Sequence, residues 1–286
     1  MSQVPGFLQN LEYGVGTSTT ASVGKVTGGT WGPNNSGADY DFSIGGIPSP
    51  KYGMVVPEGS CTFWPTSVGI LASARRASFT TAAPPLLTFQ GGNSREAFKH
   101  ASAYIDTMGL ECTAPDGKLT ASLGWKAITP TVIAVPTWQE HDSGSEFHWF
   151  QGTCTLATQS CAMQSFKLDL NNNLTGRTSL DGGTTGSLRL AEEIVAGNEI
   201  ITGNFTAAIP PSTDALSQAW ADVPDATVEA SLVFVNAASS PVTLTIALAN
   251  MVMTNWSFNY VDSSGFSVYT IDYAAKPNTA DSLSIS

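Results

Sequence analysis

The densest group of side chains that could do chemistry lies in the segment Trp138–Phe150, which contains Glu140, His141, Asp142, Glu146 and His148. Two imidazoles and three carboxylates could together hold a divalent metal ion. Their spacing matches no metal-ligand motif, however, and the central Asp-Ser-Gly sequence is typical of a solvent-exposed turn. We therefore interpret the segment as a β-hairpin with a polar tip, and we predict no metal site in it.

Other sequence patterns that support catalysis are missing. The chain contains no G-x-S-x-G nucleophile motif and no glycine-rich loop of the kind that binds phosphate. His100, the third histidine, has no catalytic partner nearby in sequence. None of the four cysteines belongs to a C-x-x-C pair, so we interpret them as reduced and mostly buried thiols: Cys61, Cys112, Cys154 and Cys161. We predict no catalytic residue and no cofactor, and hence a protein that is not an enzyme.

The composition narrows the possible functions further. Hydrophobic residues make up 42% of the 286 residues and charged residues only 12%, with a net charge of −11. Proteins that grip nucleic acid tightly carry basic surfaces, so this acidic chain is not expected to read DNA sequence. Residues 1–10 lack the features of a secretion signal, and no apolar run reaches the ~18 residues of a membrane span. We therefore expect synthesis in the cytoplasm and no membrane-spanning segment.

Alternation of apolar and polar residues is the main structural signal. Phe166, Leu168 and Leu170 alternate with polar residues, and further short alternating runs recur along the chain between turn residues. These runs predict a mainly β protein, a β-sandwich with one short α-helix on its flank. The helix is predicted at Ser212–Trp220, where Leu216 and Trp220 share one face. Residues 94–100 show a weaker helical tendency.

The domain organisation is predicted from the positions of glycines and prolines, which break regular secondary structure. We expect residues 1–275 to form a single domain and residues 276–286 to form a mobile tail. The many glycines and prolines of residues 28–60 predict a long loop. Loops of this length in compact domains are usually functional or disordered.

Two stretches of the chain resemble the tail tube (major tail) proteins of long-tailed bacteriophages. Members of that family have a strand of the form "sl-l-idN-l", a variable loop, and a strand of the form "i--G---vtG-ft". Here these pieces are SFKLDLNNNL (165–174) and IVAGNEIITGNFTAAI (194–209). The closing segment, residues 243–275, is also similar to the last strands of the family.

The resemblance implies a structural virion protein in which each chain is one subunit of a ring-forming β-barrel. Subunits would form hexameric rings that stack into a hollow tail tube around the tape measure protein, and phage DNA would later pass through the tube. Tail terminator and tail-tip proteins would be further partners. Such a protein would be synthesised in the host cytoplasm and would reside in the virion tail.

The resemblance also suggests roles for individual residues. Asp169 and Glu199 are candidates for the lumen, because strands 165–170 and 199–209 are expected to help line it. Trp31, Tyr40 and Tyr52 are candidates for contacts between rings, because a long loop of the family contacts the neighbouring ring. Acidic side chains in the lumen would repel DNA, so that it slides and does not stick.

Other classes of protein share the same broad features. A capsid decoration or fibre-like protein would also be β-rich and acidic, and the tube protein of a contractile secretion system is related. The seven tryptophans and the pI near 4.5 would also suit a carbohydrate-binding β-sandwich or a glycosidase. A glycosidase would need a pair of carboxylates in a cleft with aromatic platforms.

Overall fold

A computed structural model describes most of the chain and confirms a mainly β protein. It covers residues 10–16, 21–35, 38–41, 49–52, 55–76, 84–114, 117–139, 145–156, 159–177, 193–209, 227–261, 266–275 and 283–286. The helix predicted at Ser212–Trp220, with Leu216 and Trp220, lies outside these residues. The one α-helix in the described part of the chain is a single short turn and is not long enough to cross a membrane.

The described elements are almost all strands. The strands of the first half are β1 (Asn10–Val15), β2 (Ala21–Ser22), β3 (Gly24–Asn35), β4 (Ala38–Asp41), β5 (Ser49–Tyr52), β6 (Val55–Pro65), β7 (Leu87–Gly92), β8 (Ala97–Thr113) and β9 (Thr120–Ile133). Those of the second half are β10 (Gly152–Leu156), β11 (Gln159–Asn171), β12 (Leu174–Arg177), β13 (Glu193–Ala196), β14 (Ile200–Ile209), β15 (Thr227–Val235), β16 (Thr243–Val261), β17 (Phe266–Ala275) and β18 (Leu283–Ile285). Helix α1 (Gly69–Ala72) and a 3₁₀ turn (Trp149–Gln151) complete the list.

Six strands of the second half close on themselves. Antiparallel pairing runs from β10 through β15, β16, β17 and β14 to β11, and β11 pairs back with β10. Closing a sheet in this way removes exposed edges, which are otherwise sites of unwanted pairing. In this closed circuit of six strands, the pairing sets which outward-facing residues lie beside each other.

The first half forms a second circuit. β1 pairs with β7, β7 with β8, β8 with β9, β9 with β6 and β6 with β3. β3 follows β2 after the single buried residue Val23, and β2 pairs with β1, which completes the circuit. The two halves meet where β8 pairs with β11, from Thr107↔Asn171 to Thr113↔Ser165.

The alternation predicted for β11 and β14 is confirmed, and it builds the core. Phe166, Leu168 and Leu170 are at most 2% exposed, as are Ile201 and Phe205. These side chains join one large apolar cluster that extends through both circuits. Burial of apolar area is the main stabilising contribution, at roughly 25 cal/mol per Å². The intervening residues of β11 and β14 therefore face outward.

The prediction of a loop at residues 28–60 is wrong for the parts described. They form a long arm in which β3 pairs with β6 and β4 pairs with β5, and we call these four strands the hairpin arm. β3 pairs with β6 as far as Asn35↔Val55. The pairing of β4 with β5 begins at Ala38↔Tyr52, three residues away in the sequence on either side. Pro33 lies opposite Pro57 beyond the part of β6 that pairs with β9. Prolines are tolerated at such positions because no hydrogen bond is required on the outer side.

Two further predictions are corrected. Residues 97–100 belong to β8 and not to a helix, because pairing with β7 on one side and β9 on the other outweighs a weak local preference. The predicted mobile tail is ordered at its end, where β18 pairs with β16 and buries Leu283 and Ile285. Residues 276–282 lie outside the described part of the chain.

Candidate assembly surfaces

A continuous polar face crosses six neighbouring strands, β9, β8, β11, β14, β17 and β16. In one row of directly opposed residues, the members that carry charge or an amide are Glu111, Lys167, Asn204, Asp272 and Asn255. The adjacent row contains Ser122, Gly109, Asp169 and Thr202. We call these nine residues the polar sheet face. They share the outward side because the residues between them are the inward apolar ones.

The charges on the polar sheet face are sparse and mostly negative. Asp169 forms an ion pair with Lys167 at 2.8 Å, and both side chains are about half exposed, at 48% and 49%. The hydrogen bond to Asp169 raises the pKa of Lys167. Asn255 donates a hydrogen bond to Asp272 at 3.2 Å. An exposed ion pair adds little stability. The charged residues of this face therefore contribute little to the fold, and the face is a candidate surface for assembly.

Glu199, the other carboxylate predicted for the lumen, is buried in the subunit. Its side chain has no exposed area and lies 3.5 Å from the Arg75 guanidinium. The alternation of β14 contains the reason, because Glu199 has the same parity as the inward residues Ile201 and Phe205. Of the two carboxylates predicted for the lumen, Asp169 is therefore the exposed one. The placement of either residue in a lumen stays a prediction.

A buried polar cluster beside Glu199 was not predicted. Asn172 is fully buried and donates through Nδ2 to the carbonyl oxygens of Ala74 and Ile105, at 3.0 and 2.9 Å. Arg76 donates to the side-chain and backbone oxygens of Asn172, at 3.0 and 2.5 Å. Burial lowers the pKa of Arg76, and the Glu199 carboxylate opposes that shift. In the sequence, the run Asn171–Asn173 suggested only a turn.

Trp31 anchors the base of the hairpin arm within the subunit. Its ring centroid lies 4.2 Å from that of His100 and 5.3 Å from that of Trp125. The Trp125 indole N–H donates to His100 Nδ1 at 3.1 Å, and burial lowers the pKa of His100 to about 4. His100 is therefore a neutral core residue. The role of Trp31 in contacts between rings stays a prediction.

The other two residues predicted to contact a neighbouring ring lie further along the arm. Tyr40 is paired with Pro50, and Tyr52 with Ala38, in the β4–β5 ladder. Among the described residues, β3 pairs with β6 alone along its length, so its outer edge is open. Unpaired backbone groups on such an edge can accept a strand from another chain. The arm is thus a candidate surface for assembly.

The described flanks of the segment considered for metal binding, residues 138–139 and 145–150, do not pair with each other as the predicted hairpin requires. Its described flanks contact separate parts of the chain: Gln139 N–H donates to the Glu12 carboxylate, whereas His148 forms a bridge with Lys118. Glu146 lies 3.5 Å from Lys118 as well. Glu140, His141 and Asp142 lie outside the described residues. Within the described ranges, no group of three or more histidine, cysteine or acidic residues is placed to hold a metal ion.

Comparison with known proteins identifies the family. A search of curated proteins gives no match. A model of the family described as phage tail tube protein matches residues 11–278. The match includes both circuits of strands, the hairpin arm and the polar sheet face. Because it covers nearly the whole chain, the protein belongs to the phage tail tube family and is a structural component of the virion tail.

Proposed function

We propose that this protein polymerises into stacked, hexameric rings that form the tail tube through which phage DNA is ejected. The hairpin arm carries this proposal, because it combines a fixed base with an open strand edge. Synthesis in the host cytoplasm, assembly around a tape measure protein, and capping by tail terminator and tail-tip proteins belong to the same proposal. No catalytic step is required of the subunit.

The hairpin arm is proposed as the contact between successive rings. Its base is held by the packing of Trp31 on His100 and Trp125, and by the pairing of β6 with β9. Among the described residues, its outer strand, β3, has no strand partner other than β6, so the backbone groups of residues 25–35 that point away from β6 are available. Binding a partner along this edge would satisfy those groups and would extend the assembly along one axis.

The polar sheet face is proposed as the wall of the lumen. It carries three carboxylates, on Glu111, Asp169 and Asp272, against the single charged amine of Lys167. Phosphate groups bind proteins mainly through lysine and arginine. A wall with few cations and a negative balance gives passing DNA no strong attachment. Glu199, being buried, is proposed to support this wall through Arg75 and not to face the DNA.

Shortening the arm tests the proposed contact between rings. Because Asn35 is paired with Val55, residues 36–54 can be replaced by an Asn-Gly turn that suits a two-residue hairpin. We expect the variant to keep the far-ultraviolet circular dichroism and thermal unfolding of the full chain, but to form no tubes in negative-stain electron microscopy. Tubes of normal length and number from this variant would show that the part of the arm beyond Asn35, which contains Tyr40 and Tyr52, is not needed for contacts between rings.

Chemical labelling tests the proposed lumen. Thr202 is exposed on the polar sheet face, so Thr202→Cys can be made in a Cys161→Ser background to reduce labelling elsewhere. In assembled tubes we expect Cys at position 202 to react with a small maleimide but not with a protein-sized maleimide conjugate. The same variant before assembly should react with both and serves as the control. If assembled tubes react with the protein-sized conjugate as fully as the unassembled variant does, this face lies on the outside of the tube.

A further inference from the structure

Two of the four cysteines lie directly opposite each other in the sheet. Cys154 on β10 is the register partner of Cys161 on β11, and their sulfur atoms are 2.8 Å apart. That separation is roughly 0.8 Å longer than a disulfide bond. Directly opposed residues of antiparallel strands have Cα separations of about 4.5–5.5 Å, within the range that disulfides need. The spacing of such a register pair is therefore compatible with a disulfide.

The spacing in the sequence explains this meeting. Leu156 pairs with Gln159, so the connection between the strands consists of residues 157 and 158. A hairpin with so short a connection places each residue opposite the one at the same distance beyond the turn. Cys154 and Cys161 occupy such positions, although their spacing matches no C-x-x-C motif. Interpreting them as separate buried thiols overlooked this hairpin.

The pair lies at the shortest ladder of the closed circuit in the second half. β10 and β11 share three residue pairs, whereas the other five ladders of that circuit have between five and ten. The short ladder is the seam where the circuit closes. A covalent link across it would hold β10 against β11 in addition to the few hydrogen bonds of that pairing.

We infer that Cys154 and Cys161 form a reversible disulfide, a modification site that a small disulfide oxidant closes and a thiol reductant reopens. Cys161 is half-buried, Cys154 is buried, and both line a surface groove together with Trp149, Phe150 and Met163. The groove gives a small oxidant access to the outer sulfur. The remaining cysteines, Cys61 and Cys112, are each 2% exposed.

The local chemistry assigns an order to the exchange. The Cys154 thiol stabilises the neighbouring thiolate and so lowers the pKa of Cys161, while burial opposes that effect. The Cys161 thiolate attacks one sulfur of oxidised glutathione, which forms a mixed disulfide and releases one glutathione thiolate. Cys154 then attacks the sulfur of Cys161 and releases the second. Two electrons pass to the oxidant, and the two cysteine protons end on the two glutathione molecules.

Peptide mapping can follow the two pairs of cysteines separately. Trypsin is expected to release Cys154 and Cys161 together in the peptide 127–167, because no lysine or arginine lies between them. Cys61 falls in the peptide 52–75 and Cys112 in the peptide 100–118. The full-length protein is equilibrated with oxidised glutathione, alkylated under denaturing conditions, digested and analysed by mass spectrometry.

We expect the peptide 127–167 to lose two hydrogens and to resist alkylation, while the other two peptides are alkylated. Addition of dithiothreitol before alkylation should restore both thiols. The closed form should melt about 5 °C higher than the reduced form, since an eight-residue segment is cross-linked. Cys154→Ser should stop at one glutathione attached to Cys161, and Cys112→Ser should behave like the natural sequence.

Other results would overturn the inference. If peptide 127–167 from oxidised natural-sequence protein remains fully alkylated, or carries a persistent glutathione adduct, the two sulfurs do not reach bonding geometry. Cross-links that involve Cys61 or Cys112 would also contradict it. An unchanged melting temperature on closure would show that the link does not fasten the seam.

Discussion

Replacing the buried Asn172 by alanine should destabilise the protein strongly. Its side chain holds together three separate parts of the chain: the segment after helix α1, through Ala74 and Arg76; strand β8, through Ile105; and the end of β11. The residue has no exposed area, so water cannot replace the lost partners.

The expected size follows from the contacts. Asn172→Ala removes two hydrogen bonds to backbone carbonyls and one from the Arg76 guanidinium. A buried group left without a partner costs about 1–3 kcal/mol, and more when it is charged. Some of that cost is relieved by relaxation of Arg76 toward the Glu199 carboxylate. We therefore expect a loss of about 4 kcal/mol in the free energy of unfolding.

Urea unfolding, followed by tryptophan fluorescence, measures this loss. With an m-value of about 3 kcal/mol per M, the midpoint should fall by about 1.3 M at an unchanged m-value. Asn255→Ala is the matched control, because Asn255 is exposed and makes one side-chain hydrogen bond, to Asp272. Its midpoint should move by less than about 0.2 M. A shift for Asn172→Ala as small as that of the control would refute the reasoning.

Two other changes test the packing and the buried histidine. A Cβ atom at Gly203 would overlap the Lys167 carbonyl oxygen and the Tyr273 hydroxyl, so Gly203→Ala should lower the free energy of unfolding by about 3 kcal/mol. Gly28 has open space at the same position, so Gly28→Ala should leave the free energy of unfolding nearly unchanged and serves as the control. Equal urea midpoints for the two variants would contradict this. Because the pKa of His100 falls from 6.5 to about 4 on folding, the unfolded state binds more protons. The contribution of neutral His100 to the free energy of unfolding should therefore be fully present above pH 6.5, and it should fall by about 3 kcal/mol as the pH approaches 4. His100→Gln should flatten that slope, and an unchanged slope would show that other groups cause it.

Local patterns predicted the faces of the strands correctly. Phe166, Leu168 and Leu170 are inward and Asp169 is outward, because the side chains of a strand alternate whatever its partners are. The same rule, applied one residue before β14, would have placed Glu199 inside. Glu199 was instead considered for the lumen together with Asp169, because strand 199–209 was expected to help line it, and the structure buries its side chain.

The hairpin arm shows where local signals mislead. Pro33 and Pro57 were counted as breakers, yet they lie opposite each other in a paired ladder. A proline excludes one hydrogen bond, not a strand, and whether that bond is needed depends on which edges have partners. Residues 97–100 illustrate the converse, because a weak helical preference gives way to pairing on both sides.

The sequence alone determined the class of the protein. Alternation with frequent turn residues indicated a β fold, the low and acidic charge excluded a nucleic-acid reader, and the two strand motifs indicated the tail tube family. Only the tertiary structure decided that six strands close through the β10–β11 seam, that Asn172 and Glu199 are buried together, and that Cys154 meets Cys161. The reason is that the direction of a side chain is set within a few residues, whereas the pairing of strand edges depends on contacts between distant parts of the chain.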